Sequence, residues 1–355
     1  MEMSQKDFRE IFFENILGFL WRQWSNLGVL GEANVREQWI IDPEALLIFT
    51  LDIARYEPRL FDEVMDWLVT NGHWIDTQRL RGILRKSSEE TCRLMGAVSG
   101  FLITQGQERK WKNLANLCFK NIPEEGEPLF PIRYQKHVAV IIGVPVDDLF
   151  SKYGFFRAPL TPSKKSRELT PTTESNIRFM LRGLFGIGSR AECILYLLTH
   201  EAGHPSEVAK AIGISFRGAQ DMLIELSKSG LVMTRIKGKR KIEYWISQRQ
   251  WWEFLSKGSI EEFRKPVWID WISLLNALMK VWTTLLEIGD TKSEYLKSSK
   301  LRDAMEIVGN EFAQSGIDIP PIPGRNVRPE DYAKAFEDFI IRVFGAQRES
   351  IGTGV

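Results

Sequence analysis

From Ser189 to Ser247 the spacing of apolar residues changes, first following a helical repeat and then alternating. That order dictates three helices followed by a strand hairpin. Ala191, Ile194, Leu195, Leu197 and Leu198 share one helical face. Pro205 stands where a second helix starts, because its fixed φ suits a first turn and the amide it lacks would have no intrahelical partner there. Val208, Ala211 and Ile212 give that helix an inner side, and Gly213 supplies the left-handed residue that ends it. Ser215 is placed to cap a third helix with Ala219, Met222, Leu223 and Leu226 inward and Gly230 beyond its end. The chain then alternates, turns through Lys237-Gly238-Lys239-Arg240, and returns through Ile242, Tyr244 and Ile246.

This is the element order of a winged helix-turn-helix. The run SFRGAQDMLIELSKSGLV resembles the recognition helix and first wing strand of the ArsR/MarR-like winged-helix transcriptional regulators. Ser215, Ala219, Leu223, Leu226, Gly230, Leu231 and Val232 carry the likeness. The preceding run LRGLFGIGSRAE resembles a segment of larger, uncharacterised bacterial winged-helix proteins. The resemblance implies a DNA-binding module whose third helix enters the major groove while the wing lies along the backbone.

By position, Phe216, Arg217, Gly218, Gln220 and Asp221 face outward from that helix. Arg217 has the geometry to donate twice to a guanine edge, and Gln220 to pair with an adenine. The wing holds five cations and no acid between Arg235 and Lys241: Arg235, Lys237, Lys239, Arg240 and Lys241. Such a tip contributes salt-dependent, sequence-independent contacts to phosphate. The expected DNA-binding set is these five cations with Ser215, Phe216, Arg217, Gln220 and Asp221. Two residues run against it. A carboxylate at Asp221 repels phosphate unless it accepts from a cytosine or pairs with a nearby cation. Gly218 costs its helix about 1 kcal/mol relative to Ala. The alternative is a protein-interaction scaffold that uses the same fold without DNA, since a fold does not fix a function.

The net charge of +1 excludes a generally basic nucleic-acid binder, so any such affinity must be local. Between Pro205 and Ser247 there are eight Lys/Arg against four Asp/Glu, which is the local concentration required. The three cysteines, Cys92, Cys118 and Cys193, are odd in number and far apart in sequence, which argues against a disulfide framework or a zinc site. His200 and His204 are separated by a Gly203 loop rather than sharing a helix face, so no metal is expected. The first residues are acidic and polar rather than a leader, and no apolar run reaches bilayer length, so a cytoplasmic protein without membrane contact is expected.

The whole reads as mainly α: a winged helix at 176–250, flanked by an N-terminal helical domain at 1–120, a Pro-rich connector at 121–175 and a C-terminal helical bundle at 251–355. In the first domain Ile11, Phe12, Ile16, Phe19 and Leu20 share a helix face. Residues 42–86 resemble a degenerate helix-turn-helix, with Asp42 and Asp76 as caps and Gln78, Arg79, Arg81, Arg85 and Lys86 decorating its last helix. Trp111, Leu114, Leu117 and Phe119 are expected in the core, and HVAVIIG at 137–143 suits a strand or a buried helix turn. Residues 157–175 carry three prolines and read as the linker. The tryptophan stripe of the C-terminal bundle is a core face that is also able to line a pocket for an apolar effector.

No Walker loop, nucleophile elbow or paired carboxylates appear, so no enzyme and no cofactor are expected. A homodimer is expected, because one recognition helix reads few base pairs.

Overall fold

The computed structural model describes residues 5–29, 38–131, 145–238, 241–256, 264–289, 291, 293–324 and 326–352. Among these the chain is mainly helical. It runs α1 (Gln5–Asn26), α2 (Pro43–Ile53), α3 (Pro58–Asn71), α4 (Thr77–Leu84), α5 (Glu89–Leu102) and α6 (Glu108–Cys118). A two-residue strand β1 (Glu127–Pro128), the single turn α7 (Asp148–Ser151) and a two-residue strand β2 (Phe155–Phe156) follow. Then come α8 (Ile177–Phe185), α9 (Ser189–Thr199), α10 (Pro205–Ile212), α11 (Phe216–Ser227), β3 (Val232–Lys237), β4 (Lys241–Ile246) and α12 (Gln248–Leu255). The chain closes with α13 (Trp271–Gly289), α14 (Glu294–Ser315) and α15 (Pro329–Gly352). The HVAVIIG run lies outside the described residues.

Caps set several of these starts. Asp42 accepts from the Ala45 amide ahead of Pro43, Asp76 from those of Gln78 and Arg79, and Ser88 from that of Thr91. Each satisfies an amide that a helix start leaves without a partner.

The side chains divide into two cores. The larger takes in α1 to α6 and also α13 to α15. Phe13 of α1 lies 5.0 Å from Trp282 of α13, ring centre to ring centre, and Phe12 lies 5.7 Å from Phe344 of α15. Helices α1 to α6 and α13 to α15 therefore share one hydrophobic core, where separate N- and C-terminal domains were expected. A long apolar stripe on α13 needs a cover, and α1 and α2 supply it. Two expected core residues are outside it: Ile11 is 46% exposed and Phe119 is 54% exposed.

The second core joins α8 to α12 with the β3–β4 hairpin, through residues such as Leu181, Leu195, Val208, Leu223, Val232 and Tyr244. Trp252 and Leu255 of α12 close it, so this helix belongs with the hairpin unit and not with the C-terminal bundle.

The expected linker is not free. Asp66 at the inner side of α3 accepts from the amides of Lys164, Lys165 and Ser166 at 2.7, 3.0 and 2.9 Å. Asn71 accepts from the Leu169 amide at 2.8 Å and donates to the Arg167 carbonyl at 2.8 Å. A polar segment without its own core is thus strapped to α3 by two side chains that engage four of its amides and one of its carbonyls.

The helices also bring together what the sequence separates. Cys92 in the first turn of α5 and Cys118 at the end of α6 have their sulfurs 3.1 Å apart, because α5 and α6 pair along their length.

Candidate functional site

The helix expected to read bases is α11. Ser215 caps it, its hydroxyl accepting from the Gly218 amide at 3.1 Å. A Cβ at position 218 would come within 3.1 Å of that same hydroxyl, so glycine here keeps room for the cap and its cost in helix propensity has a local return. Gly213, at φ 73°, makes the left-handed turn between α10 and α11 that only glycine enters readily. Ala219 and Leu223 are buried, and Met222 and Leu226 half-buried. That leaves the opposite face in solvent. The Arg217 side chain is 91% exposed, and Phe216 is 49% exposed. Ser215 and Asp221 are exposed as well, while Gln220 is half-buried.

Asp221 and Arg217 sit one turn apart, with Arg217 Nε 3.7 Å from Asp221 Oδ2. The acid that would repel phosphate is thereby balanced by a neighbouring cation. Both side chains are so exposed that the pair is worth well under about 1 kcal/mol and leaves Arg217 free to move to another acceptor.

The hairpin β3–β4 is antiparallel, with Arg235 opposite Glu243, Ile236 opposite Ile242 and Lys237 opposite Lys241. This register changes the charge expected of the tip. Arg235 reaches Glu201 at 2.7 Å and Glu243 at 3.0 Å, Lys237 reaches Glu243 at 3.0 Å, and Lys241 reaches Glu207 at 2.7 Å. A run with no acid in sequence is therefore lined by three acids in space. The Lys237 ammonium, with Arg235 beside it, holds the Glu243 carboxyl below the ordinary carboxylate range. Lys239 and Arg240 lie outside the described residues.

Glu243 was not among the residues expected to matter. The register that pairs Lys237 with Lys241 sets it opposite Arg235. Glu207 also serves its own helix, for its carboxylate accepts from the His204 amide at 3.0 Å and completes a capping box at the start of α10. His200 stacks on Tyr196 with ring centres 3.9 Å apart.

Behind this surface lies a buried charge network that ties the two cores together. Asp42 and Glu44 at the start of α2 meet Arg79 of α4, Arg178 and Arg182 of α8, and Glu192 of α9. Three guanidinium groups and three carboxylates balance. Arg182 is bidentate on Glu44 and also reaches Glu192 at 2.7 Å and the Trp74 carbonyl at 2.8 Å. Arg178 lies 2.8 Å from Asp42 as an ion pair without hydrogen-bond alignment. Arg79 forks onto Asp42, reaches Glu44 at 2.8 Å, and donates through Nε to the carbonyl of Ile212 at 2.7 Å. Burial opposes ionisation of Glu44, yet Arg182 and Arg79 outweigh it and hold the carboxyl below its usual range. Arg79, expected on the surface of α4, is 2% exposed. The residues of the degenerate helix-turn-helix thus form part of a mount for α8 to α11, with only Gln78, Arg85 and Lys86 of the named set exposed.

Among the described residues no group of three or more His, Cys, Asp or Glu side chains is arranged to hold a metal, and no helix is long and apolar enough to cross a membrane. Comparison with protein-family models, with curated proteins and with solved structures returns no match, so the reading of this surface rests on its own geometry.

Proposed function

We propose that the α8–α12 unit is a winged helix-turn-helix that binds double-stranded DNA, and that the protein is a transcriptional regulator acting as a homodimer in the cytoplasm. The observation that carries this reading is α11 itself. It is capped, closed on its inner side, and open to solvent along Ser215, Phe216, Arg217 and Asp221. Arg217 and Gln220 are the base-reading candidates, and Arg235, Lys237 and Lys241, with Lys239 and Arg240 by sequence, the phosphate contacts. The ion pairs of the hairpin do not preclude this. Exposed pairs are worth about 0–1 kcal/mol each, so exchanging a carboxylate for a phosphate costs little. They do lower the net charge that the hairpin offers, and so the expected salt slope.

A protein-interaction scaffold is favoured by one observation. Ile236 is 76% exposed and Ile242, its cross-strand partner, 47%, which gives the hairpin an apolar outer pair. Surfaces of this kind mark contacts with protein.

Selection from random duplexes, followed by electrophoretic shift titrations at several salt concentrations, separates the two readings. The DNA reading expects an enriched motif and an affinity that falls with salt. No retardation of any duplex at low salt would remove it and leave the scaffold.

A further inference from the structure

A cavity of about 790 Å³ opens where the two cores meet. Its inner wall is apolar, formed by Phe49 of α2 and by Leu275, Met279, Trp282 and Leu286 of α13. Its rim is basic. Arg85 and Lys86 follow α4, Lys210 stands on α10, and all three are exposed. None of the three has an ion-pair partner among the described residues. The two carboxylates of the lining are engaged by their neighbours in it. Glu90 pairs with Arg55, and Asp52 accepts a 2.6 Å hydrogen bond from the Thr91 hydroxyl.

Unpaired cations at the mouth of an apolar cavity are complementary to one chemistry, a negative head on an apolar body. The volume falls inside the range of about 300–1,000 Å³ typical of small-molecule sites. We propose that this cavity binds an amphiphilic organic acid, with its anionic head among Arg85, Lys86 and Lys210 and its body against Phe49, Met279 and Trp282.

The site adjoins the start of α11. Gly213 and Ser215 line the same cavity, and α4 packs so closely on this turn that a Cβ on Gly82 would stand 3.3 Å from the Gly213 carbonyl. The cap of α11 is therefore part of the wall of the proposed ligand site. Regulation of DNA binding by such a ligand rests on the DNA reading above, whereas the binding itself does not.

The test uses two probes on the full chain without DNA. One is 8-anilino-1-naphthalenesulfonate, and the other is N-phenyl-1-naphthylamine, which has the same aromatic body and no charge. Fluorescence titration is expected to give at least about tenfold tighter binding of the sulfonate, the size of effect expected of a charge-assisted contact. Replacing Arg85, Lys86 and Lys210 together by Gln should bring the two probes to within about twofold of each other. Met279→Trp, which fills the cavity, should weaken both. The glutamine variant changes exposed side chains only and carries the test should Met279→Trp fail to fold. Equal affinities of the two probes for the unmodified protein, or a sulfonate affinity untouched by the glutamine changes, would overturn the proposal. Once an operator is known, a shift titration with the sulfonate present reads the coupling. Unchanged DNA affinity alongside intact probe binding removes the regulatory link and leaves the ligand site standing.

Discussion

Arg182 of α8 closes on Glu44 of α2 through two parallel hydrogen bonds, Nη1 to Oε1 at 2.7 Å and Nη2 to Oε2 at 2.9 Å. The two side chains have no measurable contact with solvent and come from different cores. Burying such ions costs several kcal/mol each, offset only when geometry and further hydrogen bonds are good. Here the Asp76 amide and Arg79 take up the remaining capacity of Glu44.

Removing one member should therefore expose the full penalty of the rest. Glu44→Gln leaves the arginines in excess and is expected to destabilise the protein by about 3–5 kcal/mol in chemical denaturation. Acid should act in the same direction. The Glu44 carboxyl is held below its unfolded value, so its stabilisation is present at neutral pH and is lost only as pH falls through the lowered folded value. A denaturation series across acid pH should show this loss in the native sequence and a smaller one in Glu44→Gln.

On the proposed DNA reading, Glu243→Gln should strengthen binding. The change frees Arg235 and Lys237 from their shared acid while keeping a polar side chain at that position. Affinity for duplexes of any sequence is expected to rise by a few-fold, with a steeper salt dependence, because each additional phosphate contact adds about one to the slope. Arg217→Ala should instead relax the preference at one base position with little change in that slope. Shift titrations at graded salt read both.

Asp66→Ala should release the 164–166 segment. Burial raises the Asp66 carboxyl, but the amides of Ser166 and Lys164 outweigh it and hold the group below the usual range. With three backbone amides deprived of their acceptor, limited proteolysis is expected to cut between Arg157 and Ser175. The loss of stability should be about 1–3 kcal/mol.

Cys92 should be the most reactive of the three thiols. Its hydrogen bond with Cys118, against the opposing effect of burial, brings Cys92 down to about 7. Burial pushes Cys193 up to about 12. Iodoacetamide labelling should then rise with a midpoint near pH 7 at Cys92, the thiol being inert below it and thiolate above. Cys118→Ala should move that midpoint up toward the ordinary value of about 8.5.

Local chemistry made much of this fold legible. Asp42-Pro43, Asp76, Pro205 and Ser215 start helices where their caps and fixed φ demand, and Gly213 ends one. These signals act within a single turn. The charge network does not, and its members look in isolation like ordinary helical surface charges. One clue was present: Glu44 is a single acid at the head of the otherwise apolar run PEALLIFTL, and an ion in that setting requires a buried partner. The joining of the N- and C-terminal helices into one core was illegible for a different reason. Amphipathic stripes show that a face must be covered, but the choice between a neighbouring helix and one at the far end of the chain depends on shape. Likewise the acids around Arg235, Lys237 and Lys241 become visible only when the hairpin register and the position of α10 are known together.

The bond from Arg79 to the Ile212 carbonyl fastens the turn ahead of α11 to the body of the protein. A reading head on a tether adjusts its reach to suit its target, whereas one bolted to its chassis does not. On the proposed DNA reading, two such heads in a dimer would act like fixed calliper jaws, accepting half-sites at a single separation and rejecting the same half-sites moved apart by a few base pairs.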